Sequence, residues 1–197
     1  MLQTTVFIGD SVTDCGRLNL PPYGDGYVRD IANSEKLAGN IVNVGTSGHR
    51  LVDLIARWDE DVIAHNPTRV SIAIGINDTW RRYDDNDPTS VEDFERNYDE
   101  VLSKTRAACN PEFVLCEPFL LHVQPEMETW REDLNPKIEV VQKMAEKYDA
   151  KFVPFDQYLN SLIGKHTIEE LADDGIHPSV LGHQLMANLW LEKALGL

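Results

Sequence analysis

The sequence predicts an α/β protein folded as a three-layer α/β/α sandwich around a central parallel sheet of five strands. Three observations predict this fold class. Five short β-branched or apolar runs are bounded by Gly, Asn or Pro, as strands are. Segments with helical periodicity separate these runs. The strands are also almost continuously apolar, which is typical of a parallel sheet covered on both faces.

Strands and helices alternate from the first element to the last. The predicted strands cover residues 4–8, 41–44, 70–74, 113–116 and 151–154. The predicted helices cover residues 26–37, 51–65, 90–109, 135–148 and 178–195. The length of 197 residues fits one domain, 1–197. Because ligands of such sheets bind outside the carboxyl ends of the strands, we expect the functional residues directly after strands.

The composition excludes several classes of protein. Acidic residues outnumber basic ones by 33 to 18, and the net charge of -15 disfavours nucleic acid and anionic lipid as partners. No apolar run approaches the roughly 20 residues of a membrane helix, and the first residues predict a strand instead of a leader, so we expect a cytoplasmic protein. Three cysteines without C-x-x-C spacing argue against disulfides and zinc.

Three turns that follow strands carry groups suited to acyl transfer. The first strand leads into Gly9-Asp10-Ser11, which presents a hydroxyl at the carboxyl edge of the sheet. The second leads to Gly45 with Thr46-Ser47-Gly48, and the third to Gly75-Ile76-Asn77-Asp78. The Ser11 and Gly45 amides and the Asn77 side chain are candidate donors to the oxyanion of a tetrahedral intermediate.

A serine nucleophile also needs a base, and the C-terminal part of the chain offers one. Asp174 lies three residues before His177, in a loop that Pro178 ends by starting the last helix. The Asp174 carboxylate can bind one imidazole nitrogen and leave the other free to take the Ser11 proton. Asp173 is a competitor for this orienting role.

These blocks, in this order, resemble the SGNH (GDSL) hydrolase superfamily. The resemblance implies a flavodoxin-like sandwich, with Ser11 as nucleophile, Gly45 and Asn77 as oxyanion-hole donors, and Asp174 with His177 completing the triad. Val12 stands where the family name has Leu, which we interpret as a packing variation. The longer stretches around Ser11 and Asn77 are similar to a bacterial subgroup that includes acetylxylan esterases.

Each residue also has a purely structural interpretation. Ser11 could be only a helix N-cap with Asp14 three residues on. Asp78 is expected to bind backbone amides. Cys15, without a partner of its own, is expected to be a small buried hydrophobe instead of a nucleophile. The other histidines show no metal-site spacing, and most are expected to be exposed: His49, His65, His122, His166 and His183.

We therefore predict a cofactor-free and metal-free serine esterase that removes a short acyl group, acetyl above all, from an alcohol or sugar such as an acetylated oligosaccharide. Trp80 is the candidate wall of the substrate pocket. One alternative is a broader carboxylesterase, thioesterase or lysophospholipase with the same residues. The other is a binding module in which Thr46-Ser47-Gly48 cradles a phosphate. Base rates leave room for a homo-oligomer.

Overall fold

The computed structural model describes residues 3–197 and has a five-stranded sheet at its centre. All strands are parallel, in the order β2-β1-β3-β4-β5. The strands are β1 (Thr4–Gly9), β2 (Asn40–Asn43), β3 (Arg69–Ala73), β4 (Glu112–Cys116) and β5 (Lys151–Val153). The predicted fold class is therefore confirmed, and each strand lies within one residue of its predicted position.

Helices connect the strands and cover both faces of the sheet. They are α1 (Ser11–Asp14), α2 (Tyr27–Asn33), α3 (Leu51–Asp61), α4 (Ile76–Asp84), α5 (Val91–Ala108), α6 (Met127–Lys147), α7 (Phe155–Ser161), α8 (Ile168–Leu171) and α9 (Val180–Leu195). Within residues 3–197, no helix combines the length and the apolar character needed to cross a membrane.

The first strand shows why the sheet is covered on both sides. Phe7 packs into a core with Tyr27 of α2 and Trp190 of α9, whereas its neighbours Val6 and Ile8 belong to the opposite core. All three strand residues are completely buried. Successive side chains of a strand point to opposite faces, so an uninterrupted apolar run requires a helical layer on each side.

Four helix boundaries differ from the prediction by two residues or more. The helices predicted over 26–37 and 51–65 end four residues early, at Asn33 and Asp61. The helix predicted to begin at residue 135 begins at Met127 and continues through Pro136, because Met127, Trp130 and Leu134 are buried on its inner face and hold the first turns in place. The last helix begins at Val180, with Ser179 as its N-cap, two residues later than predicted. The short helices α1, α4, α7 and α8 were not predicted.

The strand order places a crevice at the carboxyl ends of β1 and β3. The chain runs from β1 outward to β2 and then crosses back to β3 on the other side of β1. Adjacent connections therefore leave the sheet in opposite directions, which opens a gap where ligands of this architecture bind. Ser11 follows β1 and Asn77 follows β3, so both flank this gap as expected.

Candidate active site

Ser11 is the first residue of α1, and its hydroxyl is free of any capping role. The N-cap is Asp10, whose side chain accepts a hydrogen bond from the Val12 amide at 3.0 Å. The interpretation of Ser11 as merely an N-cap is therefore wrong. Its Oγ lies instead 2.8 Å from Nε2 of His177, although the two residues are 166 positions apart in sequence.

The loop before α9 holds His177 by means of Asp174. Asp174 Oδ1 accepts hydrogen bonds from the Ile176 and His177 amides at 2.9 and 2.7 Å, and Oδ2 lies 2.6 Å from His177 Nδ1. Partial burial raises the pKa of the Asp174 carboxyl, but the bonds from the His177 ring and from both amides outweigh it, so the pKa lies below its usual value.

This series of contacts determines which imidazole nitrogen carries the proton. An ionised carboxylate can only accept hydrogen bonds, so Nδ1 of His177 carries the hydrogen and Nε2 is left as an acceptor for the Ser11 hydroxyl. That is the tautomer a general base requires. The side chains of His177 and Asp174 are 45% and 50% exposed, so the arrangement is open to substrate from solvent.

Asn77 lies in the first turn of α4 and points its amide toward the crevice. The side chain is buried, and Nδ2 donates to the His49 carbonyl oxygen at 3.0 Å. Because a primary amide has two hydrogens on nitrogen, the second remains available as a donor. The bond to His49 also fixes the direction in which the amide points.

The amide of Gly45, predicted as an oxyanion donor, already has a hydrogen-bond partner. Its N–H donates to Asn43 Oδ1 at 2.9 Å, and the residue is buried outside the crevice. A Cβ at this position would lie 2.3 Å from the Asp14 nitrogen, so glycine is required for the close approach of two backbones. The structure therefore contradicts an oxyanion role for the Gly45 amide, since this amide already has an acceptor.

Gly48, three residues later, has the geometry that Gly45 lacks. It lines the crevice together with Ser11 and Asn77, and its N–H makes no hydrogen bond within residues 3–197. Its φ of 80° lies in the left-handed region that favours glycine. The signal was present in the sequence as the small residues Thr46-Ser47-Gly48, but sequence alone did not reveal which glycine amide stays free.

Ser11, Gly48, Asn77 and His177 line an open crevice of about 470 Å³. Trp80 is half-buried on one side of it, with its ring centroid 6.3 Å from that of His177. Trp130 packs against Trp80 at 5.9 Å, and the Arg81 guanidinium lies over the ring at 5.5 Å. Trp80 therefore lines the crevice next to His177, and its ring is held in place by Trp130 and Arg81.

Cys15 and His183 also line the crevice, although neither was predicted as a site residue. His183 is buried, and of the five histidines most of which were expected to be exposed, only His65 and His122 are exposed. Nδ1 of His183 accepts a hydrogen bond from the Tyr27 amide, and Nε2 lies 3.4 Å from Cys15 Sγ. Burial lowers the pKa of His183 to about 4 and raises the pKa of Cys15. Cys15 is thus held as a thiol, which disfavours it as a nucleophile.

Two buried carboxyl groups directly adjoin, in sequence, the crevice residues Ser11 and Asn77. Burial raises the pKa of Asp10 and of Asp78 to about 7, although backbone hydrogen bonds and nearby positive charge act in the opposite direction. Asp78 Oδ2 accepts from the Leu51 amide at 3.1 Å, as predicted for this residue. Asp78 therefore holds the start of α3, just beyond the Gly48 turn.

The alternative of a phosphate cradle conflicts with the contacts of Ser47. Both its amide and its hydroxyl donate to Asp14 Oδ2, at 3.2 and 2.6 Å. A carboxylate thus already occupies the donors that a phosphate would need. No group of three or more His, Cys, Asp or Glu side chains within residues 3–197 is placed to hold a metal ion.

A parallel sheet with a serine, a histidine and an aspartate in hydrogen-bonded series at its carboxyl edge defines the class of this protein as an α/β serine hydrolase. Comparison with known proteins identifies the family. The GDSL-like Lipase/Acylhydrolase family matches residues 7–185, and the chain belongs to this family. The resemblance stated from the sequence motifs is therefore confirmed.

Similar proteins cover almost the whole chain. An acetylxylan esterase from Geobacillus stearothermophilus is 34% identical over 206 positions, which cover 97% of this chain and 93% of that protein. Its crystal structure gives a TM-score of 0.88 at 33% identity, covering 97% of this chain and 93% of the other. A Parabacteroides merdae protein of the GDSL-like lipase type gives 0.92 at 32% identity, covering 97% and 94%.

Solved structures of the Geobacillus enzyme include catalytic mutants in which a serine, an aspartate or a histidine is replaced by alanine. The aspartate precedes the histidine by three positions in that enzyme, as Asp174 precedes His177 here.

Proposed function

We propose that the protein is an acetyl esterase that acts on acetylated carbohydrate, with acetylated xylo-oligosaccharide as the substrate class, through an acyl-Ser11 intermediate. The observation that carries the proposal is the 2.8 Å contact between Ser11 Oγ and His177 Nε2 at the floor of an open crevice. The similarity to an acetylxylan esterase supports the choice of acyl group and sugar.

In the first half of the reaction, His177 Nε2 takes the proton of Ser11 while Oγ attacks the ester carbonyl carbon. The carbonyl oxygen becomes negative and is stabilised by the Ser11 amide, the Gly48 amide and the free N–H of Asn77. Collapse of the tetrahedral intermediate breaks the bond to the sugar oxygen. That oxygen takes the proton from His177, and the alcohol leaves.

In the second half, water replaces the alcohol. His177 takes a proton from the water as its oxygen attacks the acyl carbon, and the same three donors stabilise the second oxyanion. Collapse releases acetate and returns the proton to Ser11. Asp174 stabilises the imidazolium in both halves and holds it in the productive orientation.

We take the short acyl group from the similarity to an acetylxylan esterase. The crevice is lined by polar side chains such as Ser47 and Arg81 and by apolar ones such as Val12 and Pro178, a mixture that suits both the faces and the hydroxyls of a sugar ring. Trp80 offers an aromatic ring beside His177, where the departing sugar must lie in order to receive its proton. We assign Trp80 to the sugar side on this ground.

The test compares acetyl, butyryl and octanoyl esters of p-nitrophenol with acetylated xylo-oligosaccharides, using Ser11→Ala as the inactive control. We expect the highest kcat/KM for acetyl among the simple esters, and release of acetate from the oligosaccharide. A clear preference for octanoyl, or hydrolysis that survives in Ser11→Ala, would overturn the proposal.

A further inference from the structure

Asp14 makes contacts that the proposed reaction does not use directly. It is the last residue of α1, three positions after Ser11, and its side chain is only 16% exposed. One carboxylate oxygen accepts both the amide and the hydroxyl of Ser47, at 3.2 and 2.6 Å. The other accepts the Arg17 amide at 3.2 Å. Asp14 itself does not line the crevice.

These bonds tie the helix that begins with Ser11 to the turn that contains Gly48. The same two segments are linked a second time, since Arg17 Nε donates to the Gly45 carbonyl oxygen at 2.6 Å. The Ser11 amide and the Gly48 amide therefore belong to segments that are joined by side-chain hydrogen bonds.

Gly48 has little support of its own. It is exposed, and no heavy atom lies within 4 Å of the point where a Cβ would stand. Its position depends on its two neighbours. Ser47 is held by Asp14, and the carbonyl oxygen of His49 is held by Asn77 at 3.0 Å. Without Asp14, one of these two attachments is lost.

We propose that Asp14 is a positioning residue which, through Ser47, fixes the Gly48 amide as a preorganised oxyanion donor. The inference rests on the proposed function and extends it. Donors stabilise an oxyanion best when they need not reorganise during the reaction, and a displacement of about 1 Å can cost a large part of the effect. Asp14 should therefore influence the transition state and leave ground-state binding almost unchanged.

The test uses Asp14→Ala and Asp14→Asn with p-nitrophenyl acetate. We expect Asp14→Ala to lower kcat roughly tenfold or more, a part of the 10²–10³-fold that removal of a whole donor costs, with KM within about twofold. Asp14→Asn keeps an oxygen acceptor for Ser47 and should restore most of the rate.

Inhibition supplies a readout that a merely structural role would not move. A trifluoromethyl ketone adds to Ser11 and places an oxyanion among the donors, so its Ki should rise in parallel with the fall in kcat. The Ki of deacetylated xylo-oligosaccharide, which places no oxyanion there, should not change. Ser90→Ala serves as the control for stability, because Ser90 caps α5 by accepting from the Asp93 amide and does not line the crevice.

The outcomes separate this inference from the proposed function. A wild-type protein that hydrolyses no acetyl ester would refute the proposed function. An active wild type whose kcat and ketone affinity are unaltered in Asp14→Ala would refute the positioning role alone. Equal losses of kcat in Asp14→Ala and Ser90→Ala would also refute this role. A raised KM with an unchanged kcat in Asp14→Ala would refute it as well. If Asp14→Ala does not fold, Ser47→Ala removes the hydroxyl that binds Asp14, and wild-type kcat and ketone affinity in that variant would be the refuting result.

Discussion

Replacing Asn77 by Ala should remove one of the three donors that we propose for the oxyanion. The amide makes one bond to the His49 carbonyl oxygen and keeps one N–H for the substrate. Loss of a single such donor costs about 3–4 kcal/mol of transition-state stabilisation, or about 10²–10³-fold in kcat. Because Asn77→Ala also releases His49, next to Gly48, we expect the loss to lie near the upper end of this range.

The assay is steady-state hydrolysis of p-nitrophenyl acetate at neutral pH, with circular dichroism to verify folding because Asn77 is buried. The matched control is Thr79→Val in the same helix. Thr79 is fully buried and its hydroxyl has no hydrogen-bond partner in the described chain, so its removal should cost neither stability nor rate. A folded Asn77→Ala protein with the wild-type kcat would refute the assignment of the oxyanion hole.

Three further predictions test the residues around this centre. Asp174→Asn should lower kcat by roughly 10⁴-fold by favouring the wrong tautomer of the histidine, whereas Asp173→Asn should have little effect; equal losses of kcat in the two variants would contradict the orienting role of Asp174. Burial lowers the pKa of His183 from 6.5 to about 4, so the stability linked to the neutral ring is complete above about pH 6.5 and is lost as the pH falls to about 4. At about 1.4 kcal/mol per pKa unit, the pH-dependent stabilisation amounts to roughly 3 kcal/mol. Urea unfolding should show that the difference in unfolding free energy between wild type and His183→Asn shrinks by that amount as the pH falls through this range. A difference that does not change with pH would contradict the prediction. Trp80→Ala should raise KM for acetylated xylo-oligosaccharide roughly tenfold, the loss of about 1.4 kcal/mol of aromatic contact, and change KM for p-nitrophenyl acetate much less; equal changes for both substrates would remove Trp80 from the sugar side.

The strands were predictable because a buried strand shows in the sequence as a short run of apolar residues. In the first strand, Val6, Phe7 and Ile8 are completely buried, and an unbroken apolar run of this kind predicts a strand covered on both faces without knowledge of its neighbours. Helix α6 was predicted less well. Pro136 interrupts the local helical signal, and the turns before it are held by tertiary packing of Met127 and Trp130, which no local pattern reveals.

The candidate site was predictable where the chemistry depends on residue type. Ser11, Asp174 and His177 were chosen as side chains with the required groups, and the structure brings them together. The oxyanion donors are harder to predict, because a backbone amide is available only if nothing else accepts its hydrogen. Asn43 takes the amide of Gly45, and Gly48 is left free; residue type alone does not distinguish the two glycines.

The burial of His183 was missed for a related reason. A histidine at this helical position is compatible with solvent, but the ring is enclosed because the Tyr27 amide and the Cys15 thiol satisfy both of its nitrogens. Such partners come from segments more than 150 positions away in sequence. A single sequence contains no signal that brings them together.

The central claim is that His177 activates Ser11, and covalent labelling with a fluorophosphonate measures it most directly. Peptide mapping by mass spectrometry should locate the label on Ser11 in the wild type. The rate of labelling should fall by at least about a hundredfold in His177→Ala, since general-base assistance contributes 10²–10⁴-fold. A label on another residue, or equal labelling rates in the two proteins, would contradict the account.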